Sequence, residues 1–258
     1  MTNLEKESRW VSRLERDARV LVGGAIAGGI AGLLWGGIGG RIAMRIIFLT
    51  SNPAFAGLQS DDDFTIGQIS AASMFLVVVT TIGGAALGAM ATVLRSLLRT
   101  GTAVAAGAFA VAAAAFFGGA IVHTDGIDFR LLDPLALTVG LFVFLPAAWA
   151  GTTIVLVDRF LRPGGWSSRI PGGLVVLVGG LTALVLVALG GALVRDPLSL
   201  VVLGVAGIGG LAVASVATRK GEPATTARTA AHWAVWCILG ALTVFGTIDL
   251  ARDVAALT

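Results

Sequence analysis

One cysteine, Cys237, is the whole thiol complement of this 258-residue chain. A single thiol forms no disulfide within one chain and no cysteine-based metal site. Lysine is nearly missing too, with Lys6 and Lys220 alone. Neither falls in an apolar run, so a retinal-type Schiff base is excluded. Charge is scarce: Asp, Glu, Lys and Arg make up 13% of the residues, against roughly 25% in a soluble domain. A chain so composed cannot cover itself with a water-facing surface.

Other absences narrow the chemistry. An ionisable group at mid-bilayer is a default functional candidate, and none lies in the middle of an apolar run. His123, Asp158, His232 and Asp249 all fall near run ends. This disfavours a buried carboxylate relay for protons and an intramembrane aspartate dyad. The HExxH zinc signature and the GxSxG elbow are both missing. Cys237 and His232 are five residues apart, on different faces of a helix, and make a poor nucleophile–base pair. No cofactor or metal is expected.

What the chain does have is grease. Hydrophobic residues make up 56% of it, and its mean hydropathy is +0.92. Seven runs approach or exceed the ~20 residues that cross ~30 Å of hydrocarbon. They cover about Val20–Gly40 (continuing as helix towards Leu49), Ser70–Leu94, Thr102–Val122, Pro134–Val157, Gly172–Val194, Pro197–Ala217 and Ala230–Leu250. All must be helices, because an open strand edge in lipid leaves backbone groups unpaired. The expected fold is therefore an all-α polytopic transmembrane bundle of about seven spans. Residues 1–19 form a cytoplasmic amphipathic helix, 20–250 the bundle and 251–258 a short tail. Thr2 and Glu5 suit a capping box, and Trp10 suits the headgroup layer. The first run is long enough to act as a signal anchor and no cleavable signal peptide is evident.

The pI near 10.0 resembles a nucleic-acid signal, but the basic residues sit between apolar runs, where orientation signals belong. With the N-terminus inside, thirteen of the 18 basic residues face the cytoplasm and five face out. Trp166, Trp233 and Trp236 fall near the inner boundary, as an aromatic belt would. The expected location is a bacterial plasma membrane. The expected partners are the lipid bilayer and either a second copy of the chain or another membrane subunit, with no nucleic acid. The comparison with rhodopsins closes on the missing lysine and on the reversed orientation.

A repeat is hinted at. Asp63-Phe64 returns as Asp128-Phe129, Asp133-Pro134-Leu135 as Asp196-Pro197-Leu198, and Arg95–Arg99 resembles Asp158–Arg162, each about 63–65 residues on. A two-helix unit explains the spacing and makes three parallel repeats plus one helix.

Three features carry the functional expectations. Gly24, Gly28, Gly32, Gly36 and Gly40 recur every four residues in the first run, with a shorter version, Gly84 and Gly88, in the second. Glycines four apart form a groove that lets another backbone approach closely, within the bundle or between copies. Arg41 and Arg45 lie one turn apart at the outer end of the first run. They either snorkel and pair with Asp61, Asp62 and Asp63 or form an anion site at an outward mouth. The outer acids Asp61–Asp63, with His123, Asp125, Asp128 and Asp133, could gather around a divalent cation, but helix capping accounts for several: Asp63, Asp133 before Pro134, and Asp196 before Pro197. Mid-span hydroxyls such as Thr80, Thr81, Thr138, Thr152, Thr153, Thr243 and Thr247 usually bond back to their own helix.

These observations order three functions. First comes a non-catalytic bundle with close glycine-mediated packing. Second is a small-solute transporter or channel-like protein, with an anion as the candidate solute at Arg41 and Arg45. Third is an outer-face membrane enzyme using the aspartates and His123.

Overall fold

The computed structural model describes residues 18–52, 54, 71–122, 129, 133–162, 165 and 224–257. Among the described residues the chain is helical, with no strand. The main elements are α1 (Ala18–Thr50), α2 (Ala71–Leu97), α3 (Thr102–Ile121), α4 (Leu135–Phe160) and α5 (Ala224–Leu257). Among the described residues five helices are long and apolar enough to cross a membrane, which points to a multi-pass membrane protein. They coincide with the first four expected spans and the last. The runs at 172–194 and 197–217 lie outside the described residues, as do residues 1–17, Asp63-Phe64, Asp128 and Asp196-Pro197-Leu198.

At 33 residues and 1.5 Å per residue, α1 is about 50 Å long, well beyond the ~30 Å of hydrocarbon. Its middle, Gly32–Gly39, is wound as a π-helix, and the Gly40 N–H bonds to the Trp35 carbonyl five residues back. Half of this segment is glycine, which lacks the Cβ that normally packs a helix turn and is a weak α-former. Helical backbone angles continue through Ala31 and Gly40, so the widened stretch joins two α segments rather than ending one.

A short turn joins α2 to α3. Leu98 N–H bonds to Arg95 C=O (3.1 Å), and Ala105 N–H to Gly101 C=O (3.1 Å). The start of α4 differs from the capping expectation. Pro134 is itself the N-cap, in extended backbone, and Leu135 is the first helical residue. Asp133 meets Ser51 through its backbone instead. Pro146 lies inside α4; lacking an N–H, it leaves the Phe142 carbonyl without its usual helical donor.

The broadest interfaces are those of α3 with α4 and with α5, while α1 packs on α2 and on α4. The central cluster draws Ala91 from α2, Leu98 from the turn after it, Ala105, Phe109, Ala112 and Ala113 from α3, Ala150 and Ile154 from α4, and Val235 and Leu239 from α5. Half of it is alanine. In lipid, helices gain little from hiding grease, so small residues that bring axes together supply the attraction. The large apolar side chains that stay outside, among them Phe75, Val104, Phe144 and Phe245, then need no cover, because lipid tails are as apolar as they are.

Candidate functional site

The glycine ridge of α1 is occupied from within the chain. A methyl on Gly24 would strike the Thr92 side chain, and one on Gly28 would lie 2.6 Å from Gly88 Cα. One on Gly32 would strike the Thr80 carbonyl, and one on Gly36 would lie 2.7 Å from Thr80 Cβ. From the other side, a methyl on Gly84 would sit 2.6 Å from the Gly28 carbonyl and one on Gly88 2.5 Å from the Gly24 carbonyl. Each step of four along α1 is matched by a step of four back along α2. The two antiparallel helices therefore touch backbone to backbone for three turns. The ridge ends at Gly40, where nothing lies within 4 Å of an added methyl.

A second close approach joins α3 to α5. A methyl on Gly246 would lie 2.5 Å from Phe116 N, and one on Gly119 2.8 Å from the Gly246 carbonyl. Neither glycine belongs to a four-residue series, so the spacing signal that marks α1 does not reach them.

Two tryptophans fasten α1 to α4. Trp149 Nε1 donates to the Gly28 carbonyl (3.2 Å), and its ring stands edge-on to Phe117 of α3 (centroids 6.3 Å). Trp35 Nε1 donates to Thr152 Oγ1 (2.9 Å) and meets Phe144 edge-on at 5.7 Å. An indole N–H has no water to turn to in lipid, so a partner on a neighbouring helix fixes helix position. Five threonine hydroxyls inside the helices turn back on their own helices. Thr81 donates to Val77 C=O, Thr92 to Gly88 C=O, Thr153 to Trp149 C=O, Thr243 to Leu239 C=O and Thr247 to Thr243 C=O, all at 2.7–2.8 Å.

One end of the bundle is tied by charge. Arg95 donates through Nη2 (2.7 Å) and Nε (3.2 Å) to Asp158 Oδ2, and Thr102 Oγ1 donates to the same oxygen at 2.6 Å. Arg95 also reaches the carbonyls of Leu98 (3.2 Å) and Thr100 (3.1 Å). Both partners are mostly buried, at 14% and 17% side-chain exposure, so this one pair holds the α2–α3 turn against the end of α4. His232 of α5 joins the same end by accepting the Arg99 backbone N–H at 3.2 Å.

At the opposite end Ser51, just past α1, is buried. Its proton is shared between the carbonyls of Ile47 (2.8 Å) and Asp133 (3.1 Å), while its oxygen accepts the Asp133 N–H (3.0 Å). This clasp sets the end of α1 beside the start of α4. A lone serine after an apolar run gives no sequence signal.

Arg41 and Arg45 lie in the last third of α1. Arg41 is partly buried, with Nη1 3.9 Å from Met44 Sδ. Arg45 is exposed and its guanidinium stands 5.2 Å from the Phe48 ring centre, a cation–π contact. Asp61, Asp62, Asp63, His123, Asp125 and Asp128 lie outside the described residues. Among the described residues no three acids, histidines or cysteines gather as a metal site would need.

Compared with known protein families, curated proteins and solved structures, the chain matches none. The class of protein rests on its own helices: an all-helical chain with several candidate membrane spans.

Proposed function

We propose that the chain is a non-catalytic multi-pass protein of a bacterial plasma membrane, a bundle of about seven spans with its N-terminus in the cytoplasm, that acts through packing in the bilayer with other membrane subunits or a second copy. One observation supports this reading above others. Polar groups well placed to line a path through the described helices are already engaged, the indoles of Trp35 and Trp149 across helices and Thr81, Thr92 and Thr153 along their own. A solute path needs polar groups free to exchange water for substrate. The glycine ridge of α1 is taken by α2, so association with another subunit has to use other faces of the bundle.

Proteoliposome flux tests the reading. Vesicles carrying the purified chain should pass chloride, phosphate and acetate no faster than protein-free vesicles. Flux several-fold above background would replace this reading with a transporter. Orientation is tested by single cysteines in a Cys237→Ala background. Labelling beside Arg95 or Arg162 by an impermeant reagent applied outside intact cells would reverse it.

One observation favours the transporter as a second reading. The π-helical stretch of α1 ends at Gly39, one turn or less from Arg41, and π-helical turns recur at functional sites. Loss of anion flux in Arg41→Gln/Arg45→Gln, with the fold kept, would support it.

A further inference from the structure

Four arginines crowd the Arg95 end of the bundle. Arg99 lies just past α2, Arg159 in the last turn of α4 with Arg162 just past it, and Arg228 in the second turn of α5; all four are exposed. The contacts already described bring them to one place. The Arg95–Asp158 pair joins the ends of α2 and α4. The bond from Arg99 N–H to His232 joins α2 to α5, and Arg228 stands one turn from His232. Among the described residues Asp158 is the acid at this end, and its oxygen is held by Arg95 and Thr102. The four guanidiniums make no hydrogen bond or ion pair among the described residues, so no described acid offsets their charge.

Just inside this ring the surface turns apolar. Val155, one turn from Arg159, is 47% exposed, Val104 57% and Trp233 62%. A cationic rim above exposed valines with a tryptophan at the boundary fits a molecule with a phosphate head and hydrocarbon tails. Guanidinium forks match phosphate oxygens, and indoles favour the headgroup level. Free phosphate would have to be held by exposed side chains alone, in full competition with water. A lipid's tails anchor its phosphate at this depth.

We propose that the Arg95 end of the bundle is a binding surface for anionic phospholipid, with Arg99, Arg159, Arg162 and Arg228 holding the phosphate group and Val104, Val155 and Trp233 flanking the acyl chains.

The test uses the full chain in neutral detergent. Its thermal unfolding and the lipid it retains in native mass spectrometry are followed as phosphatidylglycerol, phosphatidylcholine or inorganic phosphate is added. Binding in detergent does not depend on which side of the membrane the patch faces. Phosphatidylglycerol should be retained and raise the unfolding midpoint, and phosphatidylcholine should do neither. An arginine near an anionic surface contributes about fivefold, so Arg99→Gln/Arg159→Gln/Arg162→Gln/Arg228→Gln should lose affinity by two orders of magnitude or more (about fivefold per arginine). Arg252→Gln, at the opposite end and 76% exposed, should bind as the parent does. Should the fourfold variant not fold, Arg99→Gln/Arg228→Gln and Arg159→Gln/Arg162→Gln separately should each lose about 25-fold. Equal retention of both lipids, the same stabilisation by inorganic phosphate alone, undiminished binding in these variants, or an equal loss in Arg252→Gln would each overturn the proposal.

Discussion

Between α1 and α2 the backbones meet, with Gly28 against Gly84 and Gly88 and no side chain between them. Between α3 and α4 side chains meet. Phe109 and Ala112 pack with Ala150 and Ile154, and a methyl added at Gly151 would rest 3.7 Å from Ala110 Cβ, an ordinary contact. Both seams are made of small residues, and neither gains much from escaping water, because lipid surrounds them. They differ in what can give way. A side chain can change rotamer to admit an extra carbon, whereas a backbone can move only by shifting its whole helix.

Mutations can break or sharpen this contrast, each read as a change in unfolding free energy in mixed micelles followed by helical circular dichroism. The largest loss is expected for Asp158→Ala, about 3 kcal/mol, because it strands the mostly buried Arg95 and releases α4 from the α2–α3 turn. Asp158→Ala on an Arg95→Ala background should then have a much smaller effect; equal effects on both backgrounds would remove the pair from the account. Gly28→Ala should follow at about 2 kcal/mol, since its methyl meets the Gly88 backbone and the helices must part. Trp149→Phe keeps the ring's bulk but loses the bond to Gly28, and should lower stability by about 1 kcal/mol. Gly151→Ala should stay within about 0.5 kcal/mol of the parent, as better helix propensity offsets a mild contact. If Gly151→Ala were as damaging as Gly28→Ala, the distinction between the seams would fail.

The helices themselves were legible because the physics that makes them is local. A run of twenty uncharged residues must hydrogen-bond to itself in lipid, whichever neighbours it later meets. The boundaries of α3 and α4 followed for that reason. The glycine spacing of α1 showed that something would approach closely. It could not say whether the visitor was α2 or another copy, because a groove carries no label for its occupant. Trp149 lies well inside the fourth apolar run, but its acceptor, the Gly28 carbonyl, lies 121 residues away and bears no side chain to mark it. Gly246, Ser51 and the contact between Arg95 and Asp158 were equally silent, since each matters only through a partner that folding brings near.

From sequence alone came the lipid solvent, the helical state of the apolar runs and the presence of one face smooth enough for backbone contact, because composition and spacing act within a single helix. Tertiary structure decided which helix fills that face, which indole and hydroxyl partners tie α1 to α4, and which charges meet at the Arg95 end. Those outcomes depend on distances between segments far apart in the chain, and no local pattern encodes a distance.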